Sequence, residues 1–588
     1  MKGIINIIIV STLLMGIFMV GGCADLDREY SNTYDKEDLE RQYTYRRNQC
    51  NVLYTTLEEG YTILGNGMRA SATDEAKHTY QGATQSFNTG SWNAATNPDN
   101  GSWTRYFQGI YRVNDFLASS IEVDLSDWQQ DLSEGGQIKY QERLVDVENF
   151  PKEARFLRAY FYFELIKRFG GVPIITDPVV KNTDYSRIKR NTLQECIDFI
   201  VSECEYLGGN DGLLPVYRES EMSRVERGAA LALKSRLLLY AASDLWNDPD
   251  WANTSDPEIL SLISVTGDRR EKWKAAADAA KELIDYNIGG ISYSIASNYY
   301  QYIGLRYDRS GNNEILLVYR PSGSSNTFER LNYPIGNNRG QGNVTPSQNL
   351  VDDFEMLDGS KFDWNNPIHA ANPYGNRDPR LNLTVLHNGS VFGSPNPVTL
   401  EIYQGGLHGS GQPNATTTGY YLRKLLDPNL NLSSNGASYH TWTFFRMGEI
   451  YLNYAEALNE YDPGNPDIAG YASMTRGRSG VNMPPIPGDL SQNEMREKIR
   501  NERRIELSFE DHRYWDALRW KIAAKAIGGA LYKMVVTPVE GGGFTYRKEV
   551  LENRVFDESK MYFYPIPLNV MLNEQVVAAK WRQNPGWE

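Results

Sequence analysis

The stretch Glu153-Ala154-Arg155-Phe156-Leu157-Arg158-Ala159-Tyr160-Phe161-Tyr162-Phe163, running on to Phe169-Gly170-Gly171-Val172-Pro173, decides how the chain is read. Ala154, Leu157, Phe161, Leu165 and Phe169 recur at steps of three and four, which lays one apolar stripe along a helix. Gly170-Gly171 stops that helix, and Val172-Pro173 cannot continue it. Outward from this helix the pattern stays helical. Residues 39–64, 103–122, 223–246, 270–287 and 443–461 are expected as helices, with 466–477 as a shorter partner. Ala229, Ala230 and Ala232, Ala275 to Ala277, and Ala455 and Ala457 sit where paired helices would touch. Thr192 with Glu195, Ser223 with Glu226 and Ser491 with Glu494 have the spacing of capping boxes. The fold class is therefore mainly α: tetratricopeptide-like helix pairs forming a scaffold of irregular period. An irregular, loop-rich lobe with short strands is interleaved at about 288–442, and a second irregular segment follows from about 528.

The chain has 588 residues, Lys+Arg 60 against Asp+Glu 74, and a net charge of −14. That balance argues against bulk binding of nucleic acid, which needs many phosphate-neutralising cations. Tyr is abundant, with 38 residues, and its flat ring and polar tip suit a wet binding surface as well as a core.

Met1-Lys2-Gly3 followed by an apolar run from Ile4 to Val20 reads as a secretory signal, too short to span a bilayer. Val20-Gly21-Gly22-Cys23 resembles the lipobox of bacterial lipoproteins, which implies a signal peptide over 1–22 and acylation of Cys23. Two or more acyl chains anchor stably where one is marginal. Asp25, Asp27 and Glu29, in the segment Ala24 to Tyr30, resemble the acidic surface-export signal of such lipoproteins. Of the remaining thiols, Cys196 and Cys204 lie on one helix about 12 Å apart, too far for a disulfide. Cys50, Cys196 and Cys204 are all expected as buried free thiols.

No phosphate-binding loop, nucleophile elbow or HExxH motif occurs, and the six histidines show no ligand spacing. The segment from Arg503 to Arg513 is charge-dense. On a helix Arg503 with Glu506, and Glu510 with Arg513, would form alternating ion pairs, and arginine neighbours would hold those carboxylates too acidic for general-acid work. The expectation is a protein without catalytic activity.

Several further landmarks follow in order: Glu314-Ile315-Leu316, Pro346 to Asp352, Asp378-Pro379-Arg380-Leu381, Phe445 to Ala457, Asn501 to Leu507, and Gln583-Asn584-Pro585-Gly586-Trp587. With the opening stretch, this series resembles the SusD/RagB family of outer-membrane nutrient-binding lipoproteins across nearly all of residues 23–588, taken as a single body. The resemblance implies a cell-surface, lipid-anchored protein that captures oligosaccharide or polysaccharide. It further implies delivery to a SusC-like TonB-dependent transporter, over which the protein acts as a hinged lid. A RagB-like peptide receptor with the same partner is the alternative, and a glycoside hydrolase is a more distant one. The resemblance also implies that the binding site is built from residues 80–100 and 320–345. Its candidates there are Trp92 in the first segment and Phe328, Arg330, Tyr333, Asn337 and Arg339 in the second. Trp103 opens a helix and is read as core. No cofactor is called for; the family admits structural calcium, but no run has the spacing of a dedicated calcium loop.

Overall fold

A computed structural model of the protein describes residues 35–588, apart from 81, 83, 179–182, 219–220, 222, 300–311, 321–322, 337–338 and 395. The signal segment, Cys23 and Asn337 lie outside the described residues. The chain is 45% helix and 11% strand, so it is mainly α as its sequence pattern requires. The described residues cluster into two compact units: 35–49 with 119–147, and 50–118 with 148–588. In the first, the Arg143 guanidinium stacks over Trp128 at 4.4 Å, and Tyr43 Oη donates to Asp146 at 2.6 Å.

Seven helices carry the architecture: α1 (Gly101–Ala118), α2 (Glu134–Phe169), α3 (Leu193–Gly208), α4 (Arg227–Ala242), α5 (Arg269–Ile284), α6 (Met447–Tyr461) and α7 (Gln492–Glu506). In the second unit α3 packs on α4, α4 on α5, α5 on α6 and α6 on α7. Ala229, Ala230, Ala232, Ala276, Ala277, Ala279 and Ala280 are buried along these contacts, where small side chains let backbones approach. The partner following α6, Asp467–Ser473, is only seven residues long, as its glycines suggested.

The stop after α2 works as read. Gly170 takes φ +70°, and a Cβ on Gly171 would lie 2.1 Å from the Asn191 carbonyl oxygen. The freed carbonyl of Phe169 then accepts from Arg190 Nη2 (2.7 Å) and from Asn584 Nδ2 (3.0 Å), the latter 415 positions away. Asn584 Nδ2 also donates to Tyr564 O at 2.6 Å.

Some local expectations fail for visible reasons. The helix expected over 39–64 is Tyr43–Tyr54 and then breaks. Glu59 Oε2 takes the backbone N–H of Tyr61 at 2.6 Å, a side-chain competitor to the helix ladder. Gly60 sits against the Trp442 ring, where a Cβ would be 2.1 Å from the indole. Two capping boxes form, at Thr192 and Ser491. The third does not: α4 begins with Glu226 at its N-cap, and Glu226 Oε1 instead accepts from Tyr217 N at 2.7 Å.

The strands come in antiparallel pairs. β1 (Ala76–His78) pairs with β3 (Val344–Pro346), and β2 (Ile315–Tyr319) with β4 (Trp442–Arg446). β5 (Gly529–Pro538) and β6 (Phe544–Arg554) form a long hairpin. Each of the first two pairs joins segments far apart in sequence, so the irregular lobe is stitched into the helical unit. Cys50, Cys196 and Cys204 are buried and free.

The charge-dense segment is not one helix. α7 ends at Glu506, and Phe509 and Asp511 take positive φ, so the local pairs expected at spacing three do not form. Its charges reach distant partners instead. Arg503 binds Asp516 (2.8 Å) and Arg513 binds Asp74 (2.9 Å). Glu506 accepts from Arg478 (2.6 Å), Arg446 (2.8 Å) and Arg380 (3.1 Å), and Glu510 from Lys424 and Arg446 at 2.7 Å each. Burial opposes ionisation of Glu506, but the charges of Arg478, Arg446 and Arg380 hold its carboxyl well below the usual range. The family landmarks Glu314, Asp378, Arg380, Glu502 and Glu506 all meet in this one buried network.

Two further buried ion-pair clusters set an acid limit. Burial raises the carboxyls of Glu164 and Glu456, yet Lys167 and Arg168 beside the first, and Arg519 beside the second, bring each from 4.5 down to about 2. A depressed folded pKa stabilises above the unfolded value and loses that contribution as pH falls through the folded one. Urea midpoints are therefore expected to fall steeply between about pH 4.5 and 2. A midpoint flat across that window would count against the pairing.

Candidate functional site

The two segments named from the sequence do come together, but not through the residues with the largest rings. β1 and β3 align Ala76 with Pro346 and His78 with Val344. Past the strand ends, Thr79 N donates to Asn343 O (2.8 Å) and Thr79 Oγ1 to Gly342 O (2.6 Å). Tyr80 Oη then donates to Gln341 O at 2.9 Å. The 341–343 strip is held from its other side, Gln341 N donating to Arg330 O (3.0 Å) and Asn343 N to Leu331 O (2.8 Å). Gly342 is required here: its φ is +56°, and a Cβ would lie 2.6 Å from the Tyr421 ring.

This framework presents a small outward face. Tyr80 is 37% exposed, so its ring is available while its hydroxyl is anchored. Arg330 and Arg339 are exposed, and neither guanidinium has an acidic partner among the described residues. Leu407 is exposed too, and its carbonyl abuts Gly336. A flat ring, uncommitted guanidinium donors and backbone carbonyls can grip a ligand with an apolar face and a hydroxyl edge.

Three candidates are corrected. Trp92 is buried, its ring 4.6 Å from Trp587, 5.5 Å from Phe87 and 5.6 Å from Tyr564. Phe328 is buried 4.5 Å from Tyr61. Tyr333 is buried edge-on to Phe392 at 4.9 Å, its hydroxyl donating to Asp427 O. All three rings are spent on tertiary packing and present no face to a ligand. Arg330 and Arg339 keep their candidacy, and Tyr80 joins them. A half-exposed Tyr between Thr79 and Gln81 carries no sequence signal except its place at the edge of the named segment. Trp103 is core as read, 5.0 Å from Phe169.

Two larger clefts lie elsewhere on the second unit, of about 770 Å³ beside Glu355, Lys498 and Arg513 and about 530 Å³ beside Asp244, Glu460 and Arg496. Their charges are largely matched within the protein: Lys498 with Glu355 (2.6 Å), Arg496 with Glu460 (2.5 Å), Arg513 with Asp74.

Comparison with known proteins bears on the whole chain. Residues 305–587 match the model described as SusD family, and residues 32–239 match one described as starch-binding, associating with outer membrane. The chain belongs to the SusD family. SusD-like protein P38 of Formosa agariphila is 23% identical over 440 residues, 72% of this chain and 73% of that one. A SusD-like protein of Bacteroides fragilis superposes with a TM-score of 0.74 at 24% identity, over 95% of this chain and 99% of its own. A SusD-like carbohydrate-binding protein of the same species gives a TM-score of 0.68 at 22% identity, over 90% and 98%. These likenesses establish the fold. Among the described residues of this SusD-family chain, no helix is long and apolar enough to cross a membrane.

Proposed function

We propose that the protein captures oligosaccharides at the outer-membrane surface and delivers them to a SusC-like TonB-dependent transporter, acting as its lid while tethered through acylated Cys23. The observation that carries this reading is the exposed face at Tyr80, Arg330 and Arg339, assembled by β1 and β3 on a SusD-family scaffold. The carbohydrate binding of the B. fragilis relative supports a glycan as ligand. The role is binding without turnover: the densest cluster of acids and bases is a buried network whose Glu506 stays ionised, which suits structure and not proton transfer.

Tyr80→Ala is expected to weaken binding of the best ligand from an arrayed screen of glycans and peptides about tenfold, close to 1.4 kcal/mol, with an unchanged melting temperature. Calorimetric affinity equal to the wild type would remove Tyr80 from the site. A peptide as the best ligand would overturn the glycan assignment. Failure of the solubilised protein to co-purify with the transporter would sink the lid role.

A further inference from the structure

A smaller concavity of about 340 Å³ is built from other segments of the second unit. Its volume is at the lower end of the range of about 300–1,000 Å³ for small-molecule sites. Trp103 and Phe107 on α1 form one wall, with ring centroids 4.8 Å apart. Trp581 closes another, 6.3 Å from Trp103 and steeply inclined to it. Trp581 Nε1 donates to Ile188 O at 2.7 Å, which commits the indole N–H and fixes the ring's tilt.

The polar part is made of carboxamides. Gln575 Oε1 accepts the N–H of Tyr185 at 3.1 Å, and Asn573 Oδ1 caps Gln575 N at 3.0 Å. Both oxygens are therefore used structurally, while the two amide nitrogens have no partner among the described residues. Asn569, exposed at the rim, has no side-chain bond among them. Among the described residues no charged side chain lines this concavity, in contrast to the two larger clefts.

That combination selects a ligand class. Among the described lining residues an anion would find no cation, and a cation no carboxylate. A purely apolar segment would strip water from the carboxamides and give nothing back. A neutral pyranose ring satisfies both halves, its C–H face on the rings and its hydroxyls on the amides. We infer that this concavity is a second saccharide subsite taking one neutral sugar ring between Phe107, Trp581 and the amides of Asn569, Asn573 and Gln575. The inference rests on the carbohydrate reading above but uses none of its residues.

The test is saturation-transfer NMR with the methyl pyranosides of glucose, galactose, mannose and xylose, each against wild type, Tyr80→Ala, Phe107→Ala and Asn569→Trp. The expected result is transfer to at least one glycoside that survives in Tyr80→Ala, weakens about tenfold in affinity in Phe107→Ala and vanishes in Asn569→Trp, where the new ring fills the space. Asn569→Trp changes an exposed position, so it keeps the test valid if Phe107→Ala folds poorly. Transfer that is lost in Tyr80→Ala yet unchanged in Asn569→Trp would overturn the subsite. So would transfer to none of the four glycosides, or displacement of the sugar's signal by a short apolar peptide. The first reading is judged separately, on the oligosaccharide array, so either can fail while the other stands.

Discussion

Arg446→Met is expected to destabilise the protein by about 3–5 kcal/mol, the cost of removing one partner from buried ion pairs. Arg446 Nη1 donates to Glu314 and to Glu506 at 2.8 Å each, and Nε to Glu510 at 2.7 Å. The side chain is 2% exposed, and the carboxylates of Glu314 and Glu506 are fully buried. Methionine keeps the packing volume and strands three carboxylates, with only Arg478, Arg380 and Lys424 left to neutralise them. Arg446→Lys should recover little, because a point charge cannot reach three acceptors with the geometry of a planar fork. Urea unfolding followed by circular dichroism reads the change. A midpoint near wild type in Arg446→Met would show that the network contributes little.

Trp92→Ala is expected to cost about 3–5 kcal/mol in the same assay, as for other large aromatic truncations in a core. The ring fills the space between Phe87, Tyr564 and Trp587, so its loss leaves a cavity and frees the C-terminal segment that Trp587 helps to hold. Trp587 Nε1 donates to Phe563 O at 3.0 Å, which ties that segment to the same cluster. Glycan affinity of the fraction that remains folded should match the wild type. A stable variant with lost affinity would reverse the assignment and return Trp92 to the binding face.

These two residues mark where the sequence was legible. The apolar stripe of α2, its Gly170-Gly171 stop and two of three capping boxes depend on neighbours within a few positions, and they appear as read. The landmark series was legible as a family signature, but its physical meaning was not. Glu314, Arg380, Arg446 and Glu506 are far apart in the chain, and only the fold shows that they share one buried network. The choice of Trp92 failed for the same reason. An indole beside a loop has the same sequence signature whether it faces solvent or packs under Trp587 at the far end of the chain. Arg330 and Arg339, chosen for their place in the segment 320–345, are exposed and keep their candidacy. Tyr80 was not, because its orientation is set by a hydrogen bond to a backbone carbonyl more than two hundred positions away.

The tie between Asn584 and the end of α2 has a consequence for the order of events in synthesis. A ribosome adds Asn584 at 415 positions after Phe169, so until then the Phe169 carbonyl has Arg190 but not Asn584 as donor, and Tyr564 O lacks its bond from Asn584. A nascent chain can form α2 and its neighbours early, since their bonds are local. It cannot complete the end of that helix before residue 584 has been added. A chain cut before Asn584 would leave Tyr564 O without that donor and the aromatic cluster without Trp587. Such a product should be more open to proteolysis than the chain that carries Asn584 and Trp587.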